Sequence, residues 1–125
     1  MNYVTSKYRG TTVYFHVLAG LVRAAQYRGV TTYQDIAVIM GLPQTANLMG
    51  KETGHILGEI SEDEVEQGRA MLSSVAVGVN GKPGEGFYAL AELIGLLKPR
   101  YGRVGFWQQQ QRDAAYAAWR RPLPR

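Results

Sequence analysis

Between Met40 and Thr45 the chain has only Gly41, Leu42, Pro43 and Gln44 in which to reverse direction, and the residues on both sides are spaced for helices. Upstream, Thr32-Tyr33-Gln34-Asp35 offers a threonine cap with an acid three residues on, close to a capping box with Asp in place of the usual Glu or Gln. Ile36, Ala37, Ile39 and Met40 then supply a short apolar face. Downstream, a second helix starts near Thr45 and runs through Leu48 and Met49. Two helices meeting about so tight a turn form a helix-turn-helix pattern, and the remaining chain has to pack around it.

The flanking segments fill in an order. Residues 1–11 are polar and expected to be a flexible, irregular end. Thr11-Thr12 can cap a helix in which Val13, Val17, Leu18, Leu21, Val22 and Ala25 recur at helical spacing until Gly29. The stretch from Lys51 to Gly68 also reads as helical, with Ile56, Leu57, Ile60 and Val65 inward, the acids outward, and Ser61-Glu62-Asp63-Glu64 as a further capping box. Small and β-branched residues from Leu72 to Val79 read as a strand, followed by a turn at Asn80-Gly81-Lys82-Pro83-Gly84. Phe87, Leu90, Ala91, Ile94 and Leu97 mark another helix, stopped at Pro99, and a last amphipathic stretch runs from Phe106 to Trp119. The pattern predicts helices near 12–28, 33–40, 45–58, 86–97 and 105–119 and one strand at 72–79. The fold class is mainly α with a small β element: a single winged helix-turn-helix-like domain over 1–125, with flexible ends at 1–11 and 120–125.

Composition narrows the chemistry. The 125 residues include no cysteine, which removes thiolate nucleophiles, disulfides and cysteine-ligated zinc. No apolar run approaches the roughly 20 residues that cross a bilayer, and the first residues carry no apolar signal region, so a cytoplasmic protein without membrane contact is expected. The net charge is +4 and ten of the fourteen cations are arginine, whose planar fork suits phosphate. Lys98, Arg100, Arg103, Arg112, Arg120, Arg121 and Arg125 face the single acid Asp113 in the last 28 residues, whereas Glu59, Glu62, Asp63, Glu64 and Glu66 form an acidic run. The basic end favours nucleic acid.

Sharper chemical readings have plainer competitors. Glu52, His55 and Glu59 share a helical face and can be drawn as a metal cluster, but one imidazole and two carboxylates read better as a solvated helix face. His16 sits among apolar residues and is expected to be packed in the core. Glu85 with Glu92, or Asp35 with Glu52, lack the spacing of an acid and base across a cleft. Ser73 and Ser74 lack a nucleophile elbow and read as structural. Gly81-Lys82-Pro83-Gly84-Glu85-Gly86 can cradle an anion, yet its spacing is not that of a nucleotide loop, so a wing turn is preferred. Phe106, Trp107, Tyr116 and Trp119 can stack on bases or pack, and packing is preferred. Neither a metal nor a cofactor is expected.

Thr31-Thr32-Tyr33-Gln34-Asp35-Ile36-Ala37 followed by Gly41-Leu42-Pro43-Gln44-Thr45-Ala46-Asn47-Leu48-Met49-Gly50, and later Gly81-Lys82-Pro83-Gly84-Glu85-Gly86-Phe87, resembles the winged-helix DNA-binding domain of the alkylguanine alkyltransferases and alkyltransferase-like proteins over roughly residues 30 to 97. The resemblance implies that Tyr33 contacts a phosphate and that Asn47 stands where the family places an intercalating arginine. The family's proline-cysteine-histidine-arginine motif is missing, so alkyl transfer is excluded. Its non-catalytic members keep the histidine and arginine, which Arg69-Ala70-Met71-Leu72-Ser73-Ser74 does not. The run from Gly68 to Phe87 is also similar to small bacterial and phage proteins, a likeness that carries no activity with it.

The expected function is therefore non-catalytic binding of nucleic acid, duplex DNA first, in an accessory or regulatory role. Tyr33, Gln44, Thr45, Asn47 and Lys51 would form the recognition face, Lys82 the wing contact, and Arg120 and Arg121 phosphate contacts. The alternative is a protein-interaction module, such as a phage-type inhibitor or adaptor, for which the acidic run Glu59 to Glu66 would be the contact. A protein partner and a homodimer both stay open.

Overall fold

A computed structural model describes residues 3–43, 45–97 and 105–120, with the side chains of residues 46, 47 and 105–107 outside that description. The described elements are α1 (Thr12–Gln26), β1 (Thr31–Thr32), α2 (Tyr33–Met40), α3 (Ala46–Glu66), β2 (Ala76–Val77), α4 (Glu85–Leu93) and α5 (Gly105–Trp119). The protein is mainly helical with one small sheet.

Two of the three expected caps form. The Thr11 hydroxyl accepts the Tyr14 N–H at 3.3 Å, and the Thr32 hydroxyl accepts the Asp35 N–H at 3.0 Å. Gly41 closes α2 at φ 72, and the Leu42 N–H returns to the Ala37 carbonyl at 2.9 Å. The turn between α2 and α3 is thus as tight as the chain between Met40 and Thr45 demands. Val17, Leu21 and Ala25 of α1, Ile36 of α2, Ile56 and Ile60 of α3, Leu72 and Val75 build the main core, and α5 closes it with Ala115. A smaller cluster of Met71, Phe87, Leu90, Ala91 and Leu97 lies under α4. Tyr116 and Trp119 pack against the main cluster, as their helical spacing suggested.

Three expectations are corrected. Residues 72–79 are not one strand: Leu72–Val75 form a 3-10 turn and only Ala76–Val77 extend, pairing in parallel with β1 as Thr31↔Ala76 and Thr32↔Val77. Leu72, Ser73, Ser74 and Val75 are all buried, and full burial removes the two-sided pattern that tells strand from turn. His16 is exposed, because the buried stripe of α1 runs through Tyr14, Val17, Leu21 and Ala25 and leaves position 16 on the far side. Helix α4 ends at Leu93, with Gly95 at φ 83 closing it ahead of Pro99.

The largest correction concerns α3, which runs unbroken for 21 residues. Most of its acids do not face outward: Glu52, Glu59, Glu62 and Glu64 are buried, Glu59 completely, Asp63 is partly buried, and Glu66 alone is exposed as expected. Ser61 caps nothing; it lies mid-helix, donates to the Ser73 hydroxyl at 2.5 Å and accepts the Ser73 N–H at 3.0 Å. What covers the acidic face is the opening segment of the chain. One Glu59 carboxylate oxygen accepts the N–H groups of Lys7 at 3.2 Å, Tyr8 at 3.1 Å and Arg9 at 2.9 Å. Glu62 takes the N–H groups of Tyr3 and Val4, and Arg9 reaches both Glu62 at 2.8 Å and Asp63 at 3.0 Å. Lys7 and the Tyr8 hydroxyl bond to Glu52, and the Tyr14 hydroxyl to Asp63. Irregular backbone has no ladder to satisfy its donors, so carboxylates supply the acceptors. Further along, Glu64 accepts from Arg69 at 2.7 Å and from the Trp119 indole at 2.9 Å, tying α3 to α5.

Replacing Glu59 by Gln turns one of its two oxygens into a donor facing other donors. Glu59→Gln should cost about 2–4 kcal/mol in denaturant unfolding and release the amides of Lys7, Tyr8 and Arg9 to rapid hydrogen exchange. The strap also sets a pH window. Burial, then the bond to Glu52, pushes the Tyr8 phenol from 10.0 up to about 12. A raised pKa stabilises the fold fully below pH 10 and is lost as pH climbs through about 12. The hydrogen bond from Lys7, then that from Tyr8, holds Glu52 below its ordinary 4.5, so its contribution is present above that value and lost on acidification. Thermal melts should therefore show a plateau whose alkaline edge flattens in Tyr8→Phe.

Candidate nucleic-acid interface

The turn from Gly78 to Gly84 is folded against the start of α2. The Gly78 N–H bonds to the Lys82 carbonyl at 3.0 Å, and the Lys82 N–H to the Asn80 side chain at 3.0 Å. Tyr33 locks this turn in place: its hydroxyl accepts the Gly84 N–H and its ring lies beside Gly78 and Gly84. Burial drives the Tyr33 phenol upward, partly opposed by that N–H, so the hydroxyl stays protonated and keeps its own proton to donate. Tyr33 is half-buried and its hydroxyl works inward, on the 78–84 turn.

Of the expected contact residues, the structure brings Tyr33, Thr45, Lys51 and Lys82 onto α2, α3 and the adjoining turn, with Thr45, Lys51 and Lys82 exposed. Asn47 lies in the first turn of α3, its side chain outside the description. Gln44 and Arg121 lie outside the described residues. Arg120 is exposed at the end of α5, where it lines a different cleft, with Arg28 of the α1 terminus. The turn carrying Lys82 is not a wing of paired strands: α4 starts at Glu85, and among the described residues the only sheet is the parallel pair β1–β2.

Behind the face lies a cavity of about 260 Å³, which the sequence reading missed. One wall is the bare backbone of Gly50, Gly54 and Gly58 on α3, and the opposite wall is the start of α4 at Gly84 and Gly86. Tyr33, Phe87, Leu57 and Leu90 make the apolar sides, and Ser73 adds a buried hydroxyl that accepts from Ser61. The signal was the four-residue glycine spacing within a helix. Each such glycine costs about 0.5–1 kcal/mol against alanine. A Cβ placed on Gly50 or Gly54 would meet nothing within 4 Å among the described residues, so packing against those does not explain them.

The residues drawn as a metal cluster are otherwise engaged. His55 Nε2 lies 2.7 Å from the Thr5 carbonyl, Glu52 holds Lys7 and Tyr8, and Glu59 holds backbone. Among the described residues no group of three metal-ligating side chains converges, and no helix is long and apolar enough to cross a membrane. Comparison of the chain with protein-family models, with curated proteins and with solved structures found no match.

Because nothing would clash with the added methyl, Gly54→Ala should stabilise the protein by about 0.5–1 kcal/mol in urea unfolding. Tyr33→Phe leaves the Gly84 N–H without its acceptor. It should cost about 1–2 kcal/mol and speed amide exchange at Gly84 relative to the core.

Proposed function

We propose that the protein binds nucleic acid, duplex DNA first, as a non-catalytic cytoplasmic accessory or regulatory factor, using a helix-turn-helix of the winged type in which the 78–84 turn does the wing's work. The observation that carries this reading is where the acids are. Of ten Asp and Glu residues, Glu52, Glu59, Glu62 and Glu64 are buried and satisfied inside the fold, whereas Arg23, Arg28, Lys51, Lys82 and Arg120 are exposed. The surface is therefore more cationic than the net charge of +4 conveys. The same burial weakens the case for an acidic protein-interaction contact along Glu59 to Glu66, since Glu59, Glu62 and Glu64 have no free face to offer and Glu66 alone is exposed.

The cavity gives this reading a second component. A recess between two bare backbone walls, flanked by Tyr33 and Phe87, suits a flat ring delivered by a bound strand. Asn47 cannot charge-stabilise an opened stack as an arginine would, so the base should enter only where pairing is already broken.

Fluorescence titrations against labelled duplex across a salt series test the proposal. Lys51→Ala and Lys82→Ala should each weaken binding to every sequence and reduce the magnitude of the log K against log salt slope by about 0.9. A duplex with one unpaired base should bind more tightly than its fully paired counterpart, and Gly54→Leu, which fills the recess, should erase that preference. A protein that binds no nucleic acid at low salt but captures a protein partner would return the function to the interaction-module alternative.

A further inference from the structure

Four helices end in the same kind of turn, and one is built from an unexpected residue. At the ends of α2, α3 and α4 the residue in the left-handed region is glycine: Gly41, Gly68 and Gly95, at φ 72, 79 and 83. The next N–H in each case returns five residues: Leu42 to Ala37, Arg69 to Glu64 and Leu96 to Ala91. Helix α1 closes with the same bonds, Arg28 N–H to the Ala25 carbonyl at 3.0 Å and Gly29 N–H to the Ala24 carbonyl at 2.8 Å. Here the left-handed residue, at φ 56, is Arg28, and the glycine stands one place late. Among the described residues no other non-glycine has a positive φ. A side chain there crowds the following carbonyl, and such strain persists where a function holds it. Compensation of the helix dipole does not require it, because Arg23 already occupies the last turn.

The side chain that the strain positions lines an open cleft of about 410 Å³ together with Arg120, Tyr116, Ala117 and Asp113. The frame is fixed, since the Tyr116 hydroxyl donates to the Gly29 carbonyl at 2.9 Å. Neither the Arg28 nor the Arg120 guanidinium has a hydrogen bond or ion pair to the described residues. Asp113, the one carboxylate of the cleft, accepts from Gln109 at 2.9 Å.

We propose that this cleft is a phosphate site that grips the backbone of a bound nucleic acid at Arg28 and Arg120, away from the recognition face; it rests on the function proposed above. Two guanidinium forks can chelate the two unesterified oxygens of a phosphodiester. Free phosphate is more often held by backbone amides, and those of Arg28 and Gly29 are spent closing α1.

The test pairs stability with binding in the full chain. Arg28→Gly relieves the backbone, so its melting temperature should rise by about 3–6 °C. Its duplex affinity should fall about threefold to tenfold, with the salt slope reduced by about 0.9. Arg120→Gln should show the same loss of affinity and slope at an unchanged melting temperature, and Asp113→Asn should bind about threefold more tightly. If the wild-type chain binds duplex and both arginine variants match it, the clamp is overturned while the proposed function stands. A chain that binds no duplex at low salt overturns both. Arg28→Gly melting lower than wild type makes the arginine a helix-end support and overturns its role here. Inorganic phosphate provides the second arm, at ionic strength matched with chloride. If it raises the wild-type melting temperature and Arg120→Gln abolishes that rise, free phosphate is the ligand and the backbone assignment falls.

Discussion

A single carboxylate, that of Glu59, holds the irregular segment at Lys7, Tyr8 and Arg9 against α3. Three consecutive N–H groups, those of Lys7, Tyr8 and Arg9, converge on it, in a position where Glu59 has no contact with solvent. Burying a carboxylate is expensive unless donors surround it, and exposing an irregular backbone to an apolar helix face is expensive unless acceptors do. Each half of the contact removes the other's penalty. Glu62, Asp63 and Glu52 extend the arrangement along α3 through Arg9, Tyr14, Lys7 and Tyr8, so the chain's opening becomes a strap across the longest helix.

That strap explains which parts of the fold were legible. Caps and turns carry their instructions within a few residues: Thr11, Thr32 and Gly41 act as their side chains and backbone require, and the helices at 12, 33 and 105 begin where expected. The acidic face of α3 could not be read the same way. Glutamates at helical spacing look identical whether they meet water or a polar segment more than 40 positions earlier in the chain, and Glu59 meets backbone N–H groups there, which have no sequence signature. The opening segment misled for the matching reason, because polarity without periodicity resembles a loose end until its acceptors are known. Leu72–Val75 failed differently: enclosed by α1, α3 and α5, its side chains are buried whichever way they point, so alternation carried no information.

The candidate site was legible as a face and not as a volume. Thr45, Lys51 and Lys82 are exposed, at the start of α3 and on the 78–84 turn, but the recess behind Tyr33 depends on three elements meeting. The Ser61–Ser73 pair fixes the 72–75 turn to α3, and on the other side of that turn Arg112 of α5 donates to the Ser74 carbonyl at 2.8 Å. Beyond the turn, β2 runs beside β1, whose last residue caps α2. The α2–α3 pair is thus anchored through the sheet to the same turn that floors the cavity, and Tyr33 connects its near edge to the start of α4.

One principle links the strap, the recess and the end of α1: each contains residues that local preference alone would not choose. Buried glutamates on α3 are explained within the molecule, since their donors are present and close. Gly50 and Gly54 are not, because none of the described residues has an atom that would make alanine unsuitable there. Arg28 is not, because the glycine that would relax its backbone is already next to it. Departures that the fold compensates concern stability, whereas departures it leaves uncompensated concern something outside the chain. By that criterion the acidic run of α3 is architecture despite its charge, and the glycine wall and the strained arginine are the places where we propose that a ligand acts.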